Sequence, residues 1–118
     1  LVEFILDADG YKVIQAEDGQ QAWNMLQRMK PSLVLTDCEM PNMGGLELLK
    51  HMREQDRFND VPIILLTAQK SEEDEVLGFK AGADDYIGKP VEPLKLQARV
   101  KKTLGLYEHI FSRSNGVH

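Results

Sequence analysis

The chain has 118 residues, of which 42% are hydrophobic and 28% charged, and its formal net charge at pH 7 is -5. This composition is ordinary for one globular domain and excludes an intrinsically disordered chain. The negative charge argues against broad binding to nucleic acid or to anionic membranes, and no apolar run approaches membrane-spanning length. A single cysteine, Cys38, excludes an internal disulfide and a cysteine metal cluster. We therefore expect a reducing compartment, the cytoplasm.

Strand-like and helix-like segments alternate along the chain. Short apolar or β-branched runs bounded by turn residues predict strands over 11–16, 33–36, 63–66 and 86–87. Apolar residues at helical spacing predict helices over 20–30, 46–53, 71–81 and 93–104, the third of them capped by Ser71. This alternation is typical of βαβ units, so the sequence predicts an α/β fold with a parallel sheet.

Three polar residues lie at the carboxyl ends of three successive strands: Asp37, Thr67 and Lys89. In an open α/β sheet the chemistry lies at the carboxyl ends of the strands, so we expect these side chains to converge. A carboxylate there can accept a phosphoryl group as an acyl phosphate. An ammonium group and a hydroxyl group can stabilise the charge on the transferred oxygens. Mg²⁺ would add to this, with Asp37 and the backbone carbonyl of Glu39 as oxygen ligands.

The same residues carry a family resemblance. The stretch 37–45, D-C-E-M-P-N-M-G-G, resembles the phosphoacceptor loop of the receiver domains of two-component response regulators. Thr67-Ala68 is similar to the strand-end Thr/Ser-Ala of that family, and 82–90, G-A-D-D-Y-I-G-K-P, is similar to its last signature. Order and spacing agree over most of the chain, which makes the match specific.

The resemblance, which is to chemotaxis-regulator-like receivers, implies a flavodoxin-like, doubly wound, parallel five-stranded sheet in the order 2-1-3-4-5. It divides the chain into a receiver domain over 1–106 and a tail or linker over 107–118. A histidine kinase or phosphotransfer protein would donate the phosphoryl group to Asp37, with Mg²⁺ as cofactor. Such a domain is a signalling switch rather than an enzyme, and at most catalyses its own phosphorylation and dephosphorylation.

The resemblance also implies further roles. Lys89 would pair with the phosphoryl group, and Lys89-Pro90 would be a cis peptide. Thr67 and Tyr86 would be the switch residues that couple phosphorylation to the surface of the fourth helix, fifth strand and fifth helix. Glu39 and Gln69 would tune dephosphorylation by controlling the attacking water.

One departure from the family is serious. Members begin with a strand that ends in an acidic, magnesium-binding pair and continues into a helix. Here residues 1–9 resemble the end of that helix, so the first strand and its acidic pair are predicted to be missing. Either the sequence begins inside the domain, or another chain supplies the strand. Asp7 and Asp9 are expected to be poor substitutes, because they lie near a helix end.

Other functions stay open at this point. A pseudo-receiver on the same fold would bind partners without being phosphorylated, and the missing acidic pair is its only support. A haloacid-dehalogenase-type phosphatase would need D-x-D at the first strand, and a flavodoxin-like electron carrier would need a glycine- and hydroxyl-rich phosphate loop. The sequence does not name an output domain. Dimerisation through the fourth-helix to fifth-helix face is an option, with Asp84, Asp85, Lys95 and Arg99 as candidate ion pairs.

Overall fold

A computed structural model describes residues 1–7, 12–40, 42–68 and 72–114. The strands within these ranges are β1 (Val2–Asp7), β2 (Lys12–Ala16), β3 (Leu33–Asp37), β4 (Ile63–Thr67) and β5 (Asp85–Gly88). The helices are α1 (Gly19–Leu26), α2 (Gly45–Arg53), α3 (Glu72–Ala81) and α4 (Pro93–Ser114), with a short 3-10 turn at Asp56–Phe58. The strands form one sheet in the order β2-β1-β3-β4-β5, which confirms the predicted α/β class and strand order.

The sheet separates two hydrophobic cores. On one face, α1 and α2 pack against the sheet to form the larger core, to which they contribute Ala22, Leu26, Leu48, Leu49 and Met52. On the other face, α4 packs Val100 and Leu104 against β1, β3 and β4. The residues of β3 and β4 that line these cores are nearly all buried, which explains their continuous apolar runs.

The prediction that residues 1–9 end a helix is wrong, because Val2–Asp7 forms the strand β1. This strand lies between β2 and β3, in the place of the strand that the sequence predicted to be missing. Its side chains alternate between the two cores: Val2 and Phe4 are fully buried in the larger core, and Ile5 is 6% exposed in the smaller one. A strand buries both of these apolar sets, whereas a helix at the edge of the domain would bury only one stripe.

The sheet is mixed rather than wholly parallel as predicted. β1 pairs antiparallel with β2 and with β3, its Val2 opposite Thr36, whereas β3, β4 and β5 pair in parallel. Because β1 runs against both neighbours, β2 and β3 share a direction. The carboxyl ends of β2, β3, β4 and β5 therefore meet at one edge of the sheet, here called the site edge.

The helices differ from the predicted ranges mainly at their ends. α1 begins at Gly19, where the side chain of Asp18 accepts a hydrogen bond from Gln21 N, and it ends at Leu26 rather than at residue 30. α4 begins at Pro93 as predicted but continues to Ser114, ten residues beyond the predicted end. The predicted cap Ser71 lies outside the described residues. Within the described part of the chain, no helix is both long and apolar enough to cross a membrane.

Candidate phosphoacceptor site

Asp37 lies at the site edge because it is the last residue of β3. Its Oδ1 is 2.5 Å from Lys89 Nζ, and its Oδ2 is 3.1 Å from the Leu1 nitrogen. The Asp37 side chain is 22% exposed, so a phosphodonor can reach it from solvent. A reachable carboxylate held against an ammonium group can accept an electrophilic phosphoryl group and share its negative charge with that cation.

Parallel pairing brings Lys89 to Asp37. β4 and β5 pair with Thr67 opposite Gly88, and Lys89 N then donates a 2.7 Å hydrogen bond to Thr67 O. The peptide bond between Lys89 and Pro90 is cis. The ends of β4 and β5 therefore place Thr67 and Lys89 beside the end of β3, where the sequence predicted them.

Thr67 is 1% exposed and lies against the segment that follows Asp37. Its Oγ1 is 3.5 Å from Glu39 Oε1, at the outer limit of a hydrogen bond. The start of that segment is fixed to β4, because Cys38 N donates to Leu66 O at 2.8 Å. Glu39 therefore lies near the site, with its carboxylate on the Thr67 side.

Tyr86 is half-buried in β5 and packs against the larger core. Together with Leu65, Leu77 and Gly78 it lines a cavity of about 190 Å³ that reaches Cys38 and Glu39. The cavity thus connects the predicted switch tyrosine with the segment beside Asp37. Gln69, the other residue predicted to tune dephosphorylation, lies outside the described residues.

The described residues do not by themselves complete a magnesium site. Asp37 and Glu39 offer oxygen ligands, but no cluster of three or more His, Cys, Asp or Glu side chains that could hold a metal occurs among residues 1–7, 12–40, 42–68 and 72–114. Antiparallel pairing places Asp7 at the end of β1 that lies away from Asp37. Two oxygen ligands fall short of the six that Mg²⁺ requires, so further carboxylates or water would have to supply the rest.

Charge around Asp37 favours its ionised form. Partial burial raises the pKa of the Asp37 carboxyl group, but the hydrogen bond from Lys89 and the positive charge near the carboxylate outweigh burial and lower that pKa below its usual value. The carboxylate is therefore ionised, as a nucleophile must be, throughout the neutral range.

This lowered pKa predicts a pH dependence of stability. Since the folded pKa lies below the unfolded value of about 3.9, Asp37 stabilises the fold above that pH and loses the contribution as pH falls through the folded pKa. The free energy of unfolding by urea should be measured from neutral pH down to about pH 2 for the wild type and for Asp37→Asn. We expect the difference between the two to change only in the acid range. A difference that is constant across the whole range would contradict the Asp37–Lys89 pairing.

The residues predicted to form ion pairs between subunits are paired within the chain. Asp85 Oδ2 lies 2.7 Å from Arg99 Nη1, and Asp84 Oδ2 lies 3.1 Å from Arg53 Nη2. Lys95 Nζ is 3.8 Å from Glu92 Oε1 on the exposed start of α4. Intersubunit pairing by these side chains would have to replace or share these contacts.

Sequence reasoning missed two further contacts, the Arg53–Asp84 pair and a hydrogen bond from Asn42 Nδ2 to Asp18 Oδ2. The pair joins residues 31 positions apart, and no local pattern indicates it. For the second contact the sequence signals only one half: Asp-Gly ahead of an amphipathic run is typical of a helix start, but nothing local joins Asp18 to Asn42.

A family model described as the response regulator receiver domain matches residues 1–101. The Escherichia coli phosphate regulon transcriptional regulatory protein PhoB is 39% identical over 104 residues, which are 88% of this chain and 45% of that protein. The chain thus spans less than half the length of this relative.

Solved structures agree with the family match. A CheY-like response regulator receiver domain protein from Methanospirillum hungatei superposes with a TM-score of 0.78 at 32% identity, covering 89% of this chain and 82% of that one. The receiver domain of a sensor histidine kinase from Pseudomonas aeruginosa, with a magnesium ion coordinated in its active-site cleft, has a TM-score of 0.73 at 33% identity. That match covers 81% of this chain and 79% of the other.

Proposed function

This chain belongs to the response regulator receiver domain family, and from that premise we propose that it is a switch phosphorylated at Asp37. Receiver domains of two-component systems are signalling modules that interact with histidine kinases or phosphotransfer proteins. The observation that carries the proposal is the 2.5 Å contact between Lys89 Nζ and Asp37 Oδ1 at the site edge. The same contact pairs the nucleophile with the cation that the transferred group requires.

The proposed step is an in-line transfer. A carboxylate oxygen of Asp37 forms a bond to phosphorus while the bond from phosphorus to the donor breaks, and the donor leaves with its electron pair. Lys89 then pairs with the phosphoryl oxygens, and the Thr67 hydroxyl group donates a hydrogen bond to one of them. Hydrolysis reverses the switch, and Glu39 and Gln69 tune the approach of the attacking water. Mg²⁺ supplies further charge stabilisation when its remaining ligands are present.

In the proposed switch, Tyr86 couples phosphorylation of Asp37 to a change at the protein surface. When Thr67 moves to the phosphoryl group, the tyrosine ring turns inward beside the cavity of about 190 Å³ that it lines. The surface of α3, β5 and α4, which are the fourth helix, fifth strand and fifth helix in the family's count, changes as a result and can bind a partner or a second copy. Residues 1–106 form the receiver and 107–118 a tail or linker.

The named relatives suggest what kind of output the switch controls. The Escherichia coli relative is named as a transcriptional regulatory protein and is more than twice as long as the matched region. We propose that the receiver described here controls an output of that kind in the cytoplasm.

The alternative function is a pseudo-receiver that binds partners without phosphorylation. One observation favours it: the described residues contain no acidic cluster that could hold Mg²⁺. The two functions differ in whether Asp37 ever carries a phosphoryl group, so a direct chemical measurement separates them.

The test is intact mass after incubation with Mg²⁺ and acetyl phosphate. The wild type is expected to gain one phosphoryl group, and Asp37→Asn is expected to gain none. Asp60→Asn is the matched control, because it makes the same chemical change at an exposed residue that pairs with Lys30, just ahead of β4 at its amino end. A folded wild type that gains no mass would reject the switch and leave the pseudo-receiver. A gain that a chelator prevents would show that the metal takes part.

A further inference from the structure

Asp18 holds two parts of the molecule together at the site edge. It lies between β2 and α1, and its Oδ1 accepts a 2.8 Å hydrogen bond from Gln21 N in the first turn of α1. Its Oδ2 accepts a 2.8 Å hydrogen bond from Asn42 Nδ2, which lies in the segment after Asp37. One carboxylate therefore caps a helix and fixes a loop at the same time.

The loop in question comprises residues 38–40 and 42–44 and is here called the acceptor loop. Its two ends are already fixed by the backbone, since Cys38 N donates to Leu66 O at 2.8 Å and Gly45 N donates to Cys38 O at 2.9 Å. Between these ends lies Glu39, whose carboxylate faces Thr67. The hydrogen bond from Asn42 to Asp18 is therefore one of the contacts that hold the far part of the acceptor loop.

A second contact supports the same attachment. Gly19 N donates a 3.1 Å hydrogen bond to Met43 O, the residue after Asn42. A Cβ atom added to Gly19 would lie 2.1 Å from that oxygen, so only glycine lets the loop come this close. Two neighbouring residues of the acceptor loop are thus bound to two neighbouring residues at the start of α1.

The backbone conformation of Asn42 is consistent with this attachment. Its φ is 70°, in the left-handed region that residues other than glycine rarely adopt. Asparagine is the side chain best suited to this region, and here its amide is also the donor to Asp18. The conformation and the hydrogen bond depend on the same residue.

We propose that Asp18 and Asn42 are positioning residues for phosphoryl transfer, because their hydrogen bond helps to set the acceptor loop that places the Glu39 carboxylate beside Thr67. Neither residue touches the phosphoryl group. The inference rests on the proposed function of Asp37 and adds to it a link from α1 to the site. A misplacement of about 1 Å can slow a reaction about 100-fold, and loosening one exposed attachment moves the loop less. We therefore expect about a 3- to 10-fold loss of rate.

Three variants separate positioning from helix capping and from charge. Asp18→Ser keeps an oxygen that can cap α1, since serine is as good a cap as aspartate, but it is too short to reach Asn42. Asn42→Asp removes the donor and sets two carboxylates against each other. The exchange variant Asp18→Asn with Asn42→Asp restores one donor and one acceptor at unchanged net charge, and asparagine at position 18 still caps α1.

The measurement is the rate of phosphoryl uptake at saturating acetyl phosphate, with the free energy of unfolding measured in parallel. Both single variants are expected to be about 3- to 10-fold slower than the wild type and similarly stable, and the exchange variant is expected to regain the rate. Asp18→Ser removes a negative charge. If only electrostatic repulsion of the anionic acetyl phosphate mattered, this variant would react faster than the wild type, whereas loss of positioning makes it slower.

Several results would overturn the inference. Single variants that react at the wild-type rate would do so, as would an exchange variant that stays as slow as Asn42→Asp. A loss of rate that merely follows a loss of folding would assign Asp18 and Asn42 a structural role alone. If the wild type takes up no phosphoryl group, the proposed function fails and this inference fails with it. If the wild type takes up the phosphoryl group and the variants do so at the same rate, only this inference is rejected and the proposed function stands.

Discussion

Replacing Lys89 with methionine is expected to slow phosphoryl uptake by about 100- to 1,000-fold, the usual effect of removing one preorganised charge donor from a transfer site. Lys89 Nζ lies 2.5 Å from Asp37 Oδ1, and methionine keeps much of the side-chain length without the charge. The fold should survive, because the lysine side chain is 43% exposed and its backbone bond to Thr67 O is unchanged. The measurement is the uptake rate with acetyl phosphate.

The matched control for Lys89 is Lys50→Met. Lys50 is an exposed lysine in the last turn of α2, and the change in charge and size is the same. Its uptake rate is expected to stay within about twofold of the wild type, because salt screens the charge of an exposed side chain. A Lys89→Met variant as fast as Lys50→Met would show that the ammonium group takes no part in the transfer.

Replacing Arg53 with methionine is expected to lower the free energy of unfolding by about 2–4 kcal/mol. The guanidinium group donates to Phe58 O at 2.8 Å, Val61 O at 2.9 Å, Gly82 O at 3.0 Å and Asp84 Oδ2 at 3.1 Å. Its loss would leave three carbonyl groups and a carboxylate that is 20% exposed without their cation. Because the pair is not fully buried, the expected loss is below that of a completely enclosed ion pair.

The control for Arg53 is Arg57→Met, measured by urea unfolding under the same conditions. Arg57 donates to one carbonyl, Met29 O, at 2.9 Å, and its guanidinium lies 5.0 Å from the centre of the Phe58 ring. We expect this variant to lose less than about 1 kcal/mol, as for an exposed cation–π contact. An Arg53→Met variant as stable as Arg57→Met would show that the four hydrogen bonds contribute little to the fold.

The sheet and the candidate site could be predicted from the sequence wherever the local pattern of apolar residues fits only one kind of secondary structure. The runs at 33–36 and 63–66 are apolar on both faces, which is typical of central parallel strands, and the polar residue after each run marks the site edge. The convergence of Asp37, Thr67 and Lys89 at one edge of the sheet was predicted in this way. Their contacts follow from pairing that the strand order already implies.

β1 could not be predicted because its pattern has two readings. Val2, Ile5 and Leu6 are spaced as on a helix face, whereas Val2, Phe4 and Leu6 are spaced as on one face of a strand. The resemblance to the family favoured the helix. In the structure, pairing with β2 and β3 on both sides decides for the strand, and such long-range pairing has no local signal.

The link between Asp18 and Asn42 shows a second limit of sequence reasoning. Each residue alone has a common local explanation, a helix cap for Asp18 and a turn for Asn42. The two residues are 24 positions apart in sequence. They meet only because β2 ends at the site edge, where Asn42 Nδ2 lies 2.8 Å from Asp18 Oδ2. The sequence therefore indicates the candidate reacting groups better than it indicates what holds them in place.

The central claim is that Asp37 itself carries the phosphoryl group, and trapping the acyl phosphate tests it most directly. Borohydride reduces an aspartyl phosphate to homoserine, so peptide mass spectrometry of the reduced protein reports the modified position. After incubation with acetyl phosphate and Mg²⁺, we predict homoserine at position 37 and at no other carboxylate. Homoserine at another aspartate such as Asp18, or none in a folded and donor-saturated protein, would contradict the account.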